Sequence, residues 1–445
     1  MRWSFALMFA CVTVLTWSCI RPRNYHQGQS TFLLRFQDTG QDDRHYFHRA
    51  LVHEAYIEFD AQGHLFQPKQ LDDATTLIRE LRNGSDNGDK RLFLMVFVHG
   101  WKNNASEDSG NVWGFRRLLD QEAWRFQREN SNVLVMGVYI GWPGDASKIG
   151  RLFTFAPVDQ IAQTIGAGDL DGVLEGLLKA AKGEHFDSNP TVVLIGHSLG
   201  GMVLERAMLR LLNRTVDELG PSAAELPAPA DLTLLLNAAA SASQARPFLE
   251  KLASQNIHCV SGGHDVPLLV SMTSDGDVVT KLTFPGGKFI SPDRPVTVPI
   301  EPPDRFGQTN TLAYNLLTAA NMEVLRSHDI RRLGKGELCE KGITIPRIHR
   351  YDYCLSPIEN AVNKTPYWIM GMPQALVPDH GTIFSSEVIV TISALLAERG
   401  TLSPGQVNPE TSEAAPASPP PQNDSAGIKR AAKAPPVTVL RKGVD

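Results

Sequence analysis

The sequence predicts an α/β fold, a doubly wound and mostly parallel sheet with a long insertion before its last elements. Three observations predict it. First, "RLFLMVFVHG", "NVLVMGVYIGWPG", "TVVLIG", "DLTLLLNAAAS" and "DVPLLVSMTSDGD" have strand character, and four of these runs are apolar throughout instead of alternating. A strand covered on both faces has that composition. Second, stretches of helical periodicity separate them: "FRRLLDQEAWRFQ", "DLDGVLEGLLKAAK", "MVLERAMLRLLNR" and "QARPFLEKLAS". Alternation of strand and helix builds a parallel sheet wrapped by helices. Third, the strand runs end in small or polar residues: "HGW", "GWPG", "GHSLGG", "NAAAS" and "TSDGD". Ligands of such sheets sit at the carboxyl ends of the strands, so chemistry is expected there.

Upstream, "STFLLRF" and "HEAYIEFD" read as strands, the second closed by the turn "DAQGH". "LDDATTLIREL" spaces apolar residues as a helix does, behind an acidic start. "GAGDLDG" near Gly166 has no strand before it and reads as a helix start, not a nucleotide loop. From residue 284 to 367 the periodicity loosens. "FPGGKFISPDRPVTVPIEPPDRFGQTN" is rich in proline and glycine, and "NTLAYNLLTAANMEVLRSH" predicts a helix. A connection this long is either a lid over the active face or a surface insertion. "YWIMGMPQALVPDHGTIF" reads as a last strand and loop. "SSEVIVTISALLAERG" reads as a closing helix, capped by Ser385 or Ser386 and stopped by Gly400.

The α/β domain is expected over residues 30–400, between two segments of other character. Residues 1–23 hold an early arginine, an apolar run from Trp3 to Cys19, and the basic "RPR". That pattern is a signal peptide or a membrane anchor. Cys19 adds a third reading, a lipid-modified cysteine, although Thr16 and Trp17 depart from the usual signal for it. All three put the body outside the cytoplasm, in the cell envelope. Residues 402–445 are dominated by proline, alanine and serine and predict a disordered tail. Of five cysteines, Cys259, Cys339 and Cys354 lie outside the leader. One bridge is compatible with an oxidising compartment, and Cys339 with Cys354 would close a short loop; three unpaired thiols are the alternative. A formal net charge of −5 over 445 residues gives no concentrated positive field, so nucleic acid is excluded as the main partner. No Cys/His spacing suggests zinc, and His45, His48 and His53 have no carboxylate set beside them, so neither a metal nor another cofactor is expected. Oligomeric state is not legible.

The chemistry-bearing stretch is "VVLIGHSLGG", in which Gly196-His197-Ser198-Leu199-Gly200 fits G-x-S-x-G between a strand and an amphipathic helix. Such a sharp turn holds the serine in a strained conformation with its oxygen above the sheet. Gly196 and Gly200 leave room on either side. The helix that follows aims its N-terminal amides at the same spot, where developing negative charge is favoured.

With "VFVHGW", "GWPG", "GHSLGG", "SDGD" and "DHGTIF" in that order, the chain resembles the α/β-hydrolase superfamily from about Leu92 to Glu398. It is similar in particular to exported bacterial serine esterase- or lipase-like members that are mostly uncharacterised. The resemblance implies a serine, acid, histidine order. It makes Ser198 the nucleophile and His380, in "VPDHGTIF", the base, with His328 and His349 as alternatives. The family pattern places the acid three residues before an aliphatic one. Asp275 with Val278 meets it, so Asp275 is preferred to Asp277. The oxyanion amides implied are those of Leu199 and Trp101, with Gly100 allowing close backbone approach. Trp101 and Trp142 either wall an acyl pocket or pack loops. His197 is expected to be structural, and Asp379 a turn former. The implied activity is hydrolysis of a small-molecule or lipid ester through an acyl-enzyme. The alternatives are a non-catalytic envelope binding protein on the same scaffold, or amide or thioester hydrolysis or acyl transfer by the same triad.

Overall fold

The computed structural model describes residues 23–36, 50–84, 91–129, 131–145, 155–186, 190–219, 228–261, 264–290, 296–348, 351–398 and 437–439. Residues 1–22, Gly400, His349 and most of residues 402–445 lie outside the described residues. In chain order the elements are β1 (Thr31–Phe36), β2 (Leu51–Glu58), α1 (Pro68–Asn83), β3 (Arg91–Val98), α2 (Gly110–Arg128), β4 (Val133–Gly141), α3 (Phe155–Ala167) and α4 (Leu170–Lys182). Then come β5 (Thr191–His197), α5 (Leu199–Leu219), β6 (Leu232–Leu236), α6 (Ala242–Ser254), a hairpin of β7 (Val260–Ser261) and β8 (His264–Asp265), and β9 (Leu269–Ser274). A π-helical turn (Val279–Thr283), α7 (Phe284–Ile290), α8 (Leu312–Leu316), β10 (His328–Arg332), β11 (Ile343–Ile348), β12 (Tyr351–Pro357), β13 (Tyr367–Met372), α9 (Ser386–Glu398) and β14 (Val437–Val439) complete the set.

The main sheet has the order β11-β12-β10-β13-β9-β6-β5-β3-β4-β2-β1-β14. Every neighbour pair from β10 to β2 is parallel. The flanking pairs are antiparallel. Strand β3 shows why its sequence does not alternate. Leu92, Leu94, Val96 and Val98 enter one core with Ile78 of α1, Ile161 of α3, Leu204 of α5 and Phe248 of α6. Phe93, Met95 and Phe97 enter the other with Phe115 of α2 and Leu395 of α9. Each fully buried side chain of this size contributes roughly 1.5–3 kcal/mol, and a strand feeding two cores has no polar face to offer.

The insertion departs from expectation. Over residues 284–367, strands β10, β11 and β12 extend the sheet beyond β13. They escaped notice because they lack a continuous apolar run: in "HDIRR" only Ile330 is buried. The stretch read as one helix, "NTLAYNLLTAANMEVLRSH", breaks into α8 and two 3-10 turns, Ala319–Asn321 and Glu323–Leu325. Its middle is captured instead by α6: the Ala242 amide donates to the Leu317 carbonyl, and Thr318 bridges Ser241. Cys339 and Cys354 form a disulfide, with Cα atoms 5.3 Å apart, that ties the loop after β10 to β12. Within the tail, residues Val437–Val439 pair with β1. Ser385 caps α9, its Oγ accepting the Val388 amide at 3.4 Å.

One buried acid makes stability depend on pH. Glu205 of α5 accepts the Tyr367 hydroxyl and, at 2.6 Å, the Gln244 amide. Burial raises its pKa to about 7, although both hydrogen bonds pull the other way. A group raised in the folded state favours folding below its unfolded pKa and loses that advantage as pH rises towards about 7. Glu205→Gln is therefore expected to leave stability little changed at pH 4 and to increase it by on the order of 3 kcal/mol at pH 8. Urea denaturation at the two pH values checks this; an equal effect at both contradicts it.

Candidate active site

Ser198 follows the last residue of β5 and precedes the first turn of α5. Its φ is +56°, a left-handed conformation that non-glycine residues seldom adopt. The strain is held by the neighbouring strand: the Ser198 amide donates to the Leu236 carbonyl at 3.1 Å, and its own carbonyl accepts the Ala239 amide at 2.9 Å. The predicted glycines are required by contact. A Cβ on Gly200 would stand 2.2 Å from the His99 carbonyl oxygen, and one on Gly196 would stand 2.8 Å from that of Gly200. The turn closes only because both side chains are absent.

His380 lies in the loop between β13 and α9. Its Nε2 is 2.9 Å from Ser198 Oγ, and its Nδ1 is 2.9 Å from Asp277 Oδ2. The structure therefore brings together Ser198 and His380 as predicted, with Asp277 in place of Asp275. Asp277 has a side-chain exposure of 0%, whereas that of Asp275 is 51%. The Asp275 carboxylate has Arg326 3.9 Å away, far looser than a hydrogen bond. Spacing to an aliphatic residue misled because Asp277 has a second local role. Its Oδ1 accepts the amides of Val279 (2.8 Å) and Thr280 (3.1 Å), and its Oδ2 the Thr280 hydroxyl (2.7 Å), capping the π-helical turn. Asp-x-x-Thr ahead of an apolar turn was the available signal. Burial raises the Asp277 pKa, but the bonds from His380 and Thr280 outweigh it and leave it below the ordinary value. As an ionised acceptor, Asp277 assigns the proton to Nδ1 of His380, and Nε2 is left to accept from the Ser198 hydroxyl.

The histidine loop is clamped from below by residues the sequence reading missed. Asn237, at φ +47° just after β6, donates from Nδ2 to the carbonyls of His380 (3.0 Å) and Asp379 (3.3 Å). Its Oδ1 accepts the Ser274 amide at 2.8 Å. Ser274 in turn donates to the Val377 carbonyl. The Asn in "LLLNAAAS" at a strand end was a visible clue. His197 donates from Nε2 to the His380 carbonyl at 2.9 Å. Burial, then the neighbouring His380, lowers its pKa to about 3, so it stays neutral and structural. Asp379 accepts the amides of Gly381 and Thr382, as a turn former does. The alternative His328 opens β10, where it stacks on Trp368, 3.8 Å between ring centroids, and pairs with Met370 of β13 instead of joining Ser198.

The loop after β3 presses on the serine. A Cβ on Gly100 would lie 2.7 Å from Ser198 Cβ, so the Gly100 backbone is against the nucleophile. His99 shapes this loop. Its Nδ1 donates to the Gly100 carbonyl at 2.9 Å and its Nε2 accepts the Trp142 amide at 3.0 Å. Accepting at Nε2 needs a neutral ring, and burial lowers its pKa to about 4. Trp142 is buried, stacks on His99 and donates from its indole to the His99 carbonyl at 2.7 Å. Of the two uses weighed for Trp142, loop packing is the one these contacts describe. Leu199 is buried at the first position of α5, beside Ser198.

A sequence profile described as the alpha/beta hydrolase family matches residues 95–308. That stretch begins within β3 and holds Ser198 and Asp277, but ends before His380. No curated protein matches the chain. Among solved structures, an uncharacterized protein from Pseudomonas aeruginosa aligns with 9% identity and a TM-score of 0.23. The alignment covers 78% of this chain and 52% of that one, about half its length. The family match over residues 95–308, with the parallel sheet and its flanking helices, supports the α/β-hydrolase superfamily and its fold for this chain.

Proposed function

We propose that the protein is a serine hydrolase that cleaves a carboxylic ester through an acyl-enzyme, outside the cytoplasm, from an N-terminal tether. The observation that carries the reading is the unbroken relay from Ser198 Oγ to His380 Nε2 and from His380 Nδ1 to Asp277, both 2.9 Å. His380 takes the serine proton as Ser198 Oγ attacks the carbonyl carbon, and Asp277 stabilises the imidazolium. The amides of Leu199 and Trp101 receive the negative oxygen. The tetrahedral adduct collapses, the alcohol leaves with the proton from His380, and Ser198 keeps the acyl group. Water then gives a proton to His380, attacks the acyl carbon and releases the acid. The sequence needs no cofactor.

The test is covalent. A fluorophosphonate is expected to label the wild-type protein at Ser198 and to leave Ser198→Ala unlabelled. The reading fails if folded wild-type protein takes no label, or if Ser198→Ala matches it across a panel of esters, thioesters and amides. The same panel ranks the bond types that share this triad.

A further inference from the structure

The place where the chain enters the fold bears on substrate. Strand β2 ends at Glu58, which pairs with Gly141; next to it Ile140 pairs with Val98, and Val98 with Gly196. Glu58 therefore lies on the same edge of the sheet as Ser198, three strand spacings away, about 14 Å. The chain is fastened there as soon as it emerges from the leader. Glu58 Oε2 accepts the Tyr25 amide at 2.8 Å, and Oε1 accepts the His26 amide at 2.9 Å and meets His26 Nδ1 at 3.0 Å. The His26 ring is buried and stacks on Tyr56 with 3.7 Å between centroids. Gln70 holds the His26 carbonyl at 3.3 Å.

We infer that this latch, residues 23–30, holds the catalytic edge against the bilayer that receives the N-terminal apolar run, so that the ester cleaved is a membrane-resident lipid. The inference rests on the proposed membrane tether and hydrolase activity and adds orientation and substrate class. Its first support is reach. Six residue steps separate Cys19, the end of the apolar run, from Tyr25, at most about 22 Å of extended chain. The eight residues of β2 alone span about 26 Å. The run cannot pass to the far edge, and the surface it enters has to lie by the catalytic one. The second support is the surface at that edge. Directly after Asp277, Val278 and Leu282 are 59% and 69% exposed, one turn apart, with exposed Lys281 between them. Apolar tips beside a lysine suit the boundary of acyl chains and headgroups, as does the arginine pair of "RPR". The opposite edge mixes charge with apolar surface: Glu340, Lys341, Glu359 and Lys364 line an open cleft there together with Ile358, and Leu338 and Val362 are exposed in the same segments.

The experiment uses the full chain in phosphatidylcholine–phosphatidylglycerol vesicles that contain a phosphatidylcholine with a diazirine on its acyl chain. Crosslinked peptides are expected within residues 275–285, and a 30-residue Gly/Ser insertion between Pro22 and Arg23, roughly 30 Å of flexible chain, is expected to abolish them. The same insertion is expected to lower hydrolysis of a vesicle-borne diacylglycerol about tenfold through lost effective concentration, and to leave soluble p-nitrophenyl butyrate hydrolysis unchanged. Crosslinks at residues 338–364, none beyond the leader, or none lost on insertion overturn the inference even if the soluble ester is cleaved. Crosslinks in the expected segment from a chain that cleaves neither ester leave the orientation standing and remove the hydrolase reading.

Discussion

Asp277→Asn is expected to lower kcat/KM for ester hydrolysis about 10⁴-fold, while Asp275→Asn leaves it within about twofold. The two residues differ by two positions and by everything that matters to an imidazole. Asp277 is buried and accepts from His380 Nδ1 at 2.9 Å, so it selects the tautomer whose Nε2 faces Ser198. An amide at that position offers His380 a donor as readily as an acceptor, and the wrong tautomer cannot take the serine proton. The loss should fall on kcat more than KM, because the imidazolium exists only beyond the ground state. Asp275 has no such partner. Its side chain is half exposed, and Lys281 reaches only its backbone carbonyl, at 2.6 Å. Steady-state kinetics on both variants decide the matter, with near-wild-type melting temperatures as the check on folding. A large loss from Asp275→Asn alone would reverse the assignment.

What could be read without coordinates, and what could not, follows from how far each feature acts along the chain. The parallel sheet was legible because β3, β4, β5, β6 and β9 are buried on both faces, and burial on both faces writes itself into every residue. Ser198 was legible because its turn needs glycines within two positions. His380 was reachable by order and by the space beside Gly381. The acid was misassigned because the decision between Asp275 and Asp277 is spatial: Ser274 ends β9, and only the residue that caps the π-helical turn points back under the His380 ring. Asn237 and His99 were missed for the same reason, since their partners lie 143 and 43 positions away. The strands β10 to β12 were hidden because they bury few residues each, so no long apolar run marks them. The latch at Tyr25 and His26 was invisible until Glu58 was seen to receive both amides.

Arg116→Leu is expected to destabilise the fold by about 3–5 kcal/mol, and Glu54→Leu combined with Arg116→Leu to restore most of that loss. Arg116 of α2 is almost wholly buried, and so is its partner Glu54 on β2. Arg116 Nε and Nη2 donate to Glu54 at 2.9 and 2.8 Å, and Nη2 also reaches the Tyr56 hydroxyl at 3.0 Å. Its other contacts go to Glu107, at 2.5 and 2.9 Å, in the loop that follows Trp101. Burial lowers the guanidinium pKa, but the carboxylates more than reverse it, and it ends above its ordinary value. Leucine would fill much of the space and leave Glu54 charged with no cation and no water. Removing both charges removes the cause, while the half-exposed Glu107 rehydrates. Glu107 adds a signature in acid. Burial raises its pKa, yet bonds from His26 and Arg116 bring it down to about 2. A depressed carboxylate supports folding above its unfolded pKa, and the support is lost as pH falls towards 2. Without Arg116 that loss should begin from a smaller gain. Urea denaturation of the single and double variants at pH 7, repeated at pH 3, reads both effects. If the double variant were as unstable as Arg116→Leu, packing around the guanidinium stem rather than the stranded charge would be what joins β2, α2 and the loop beside the nucleophile.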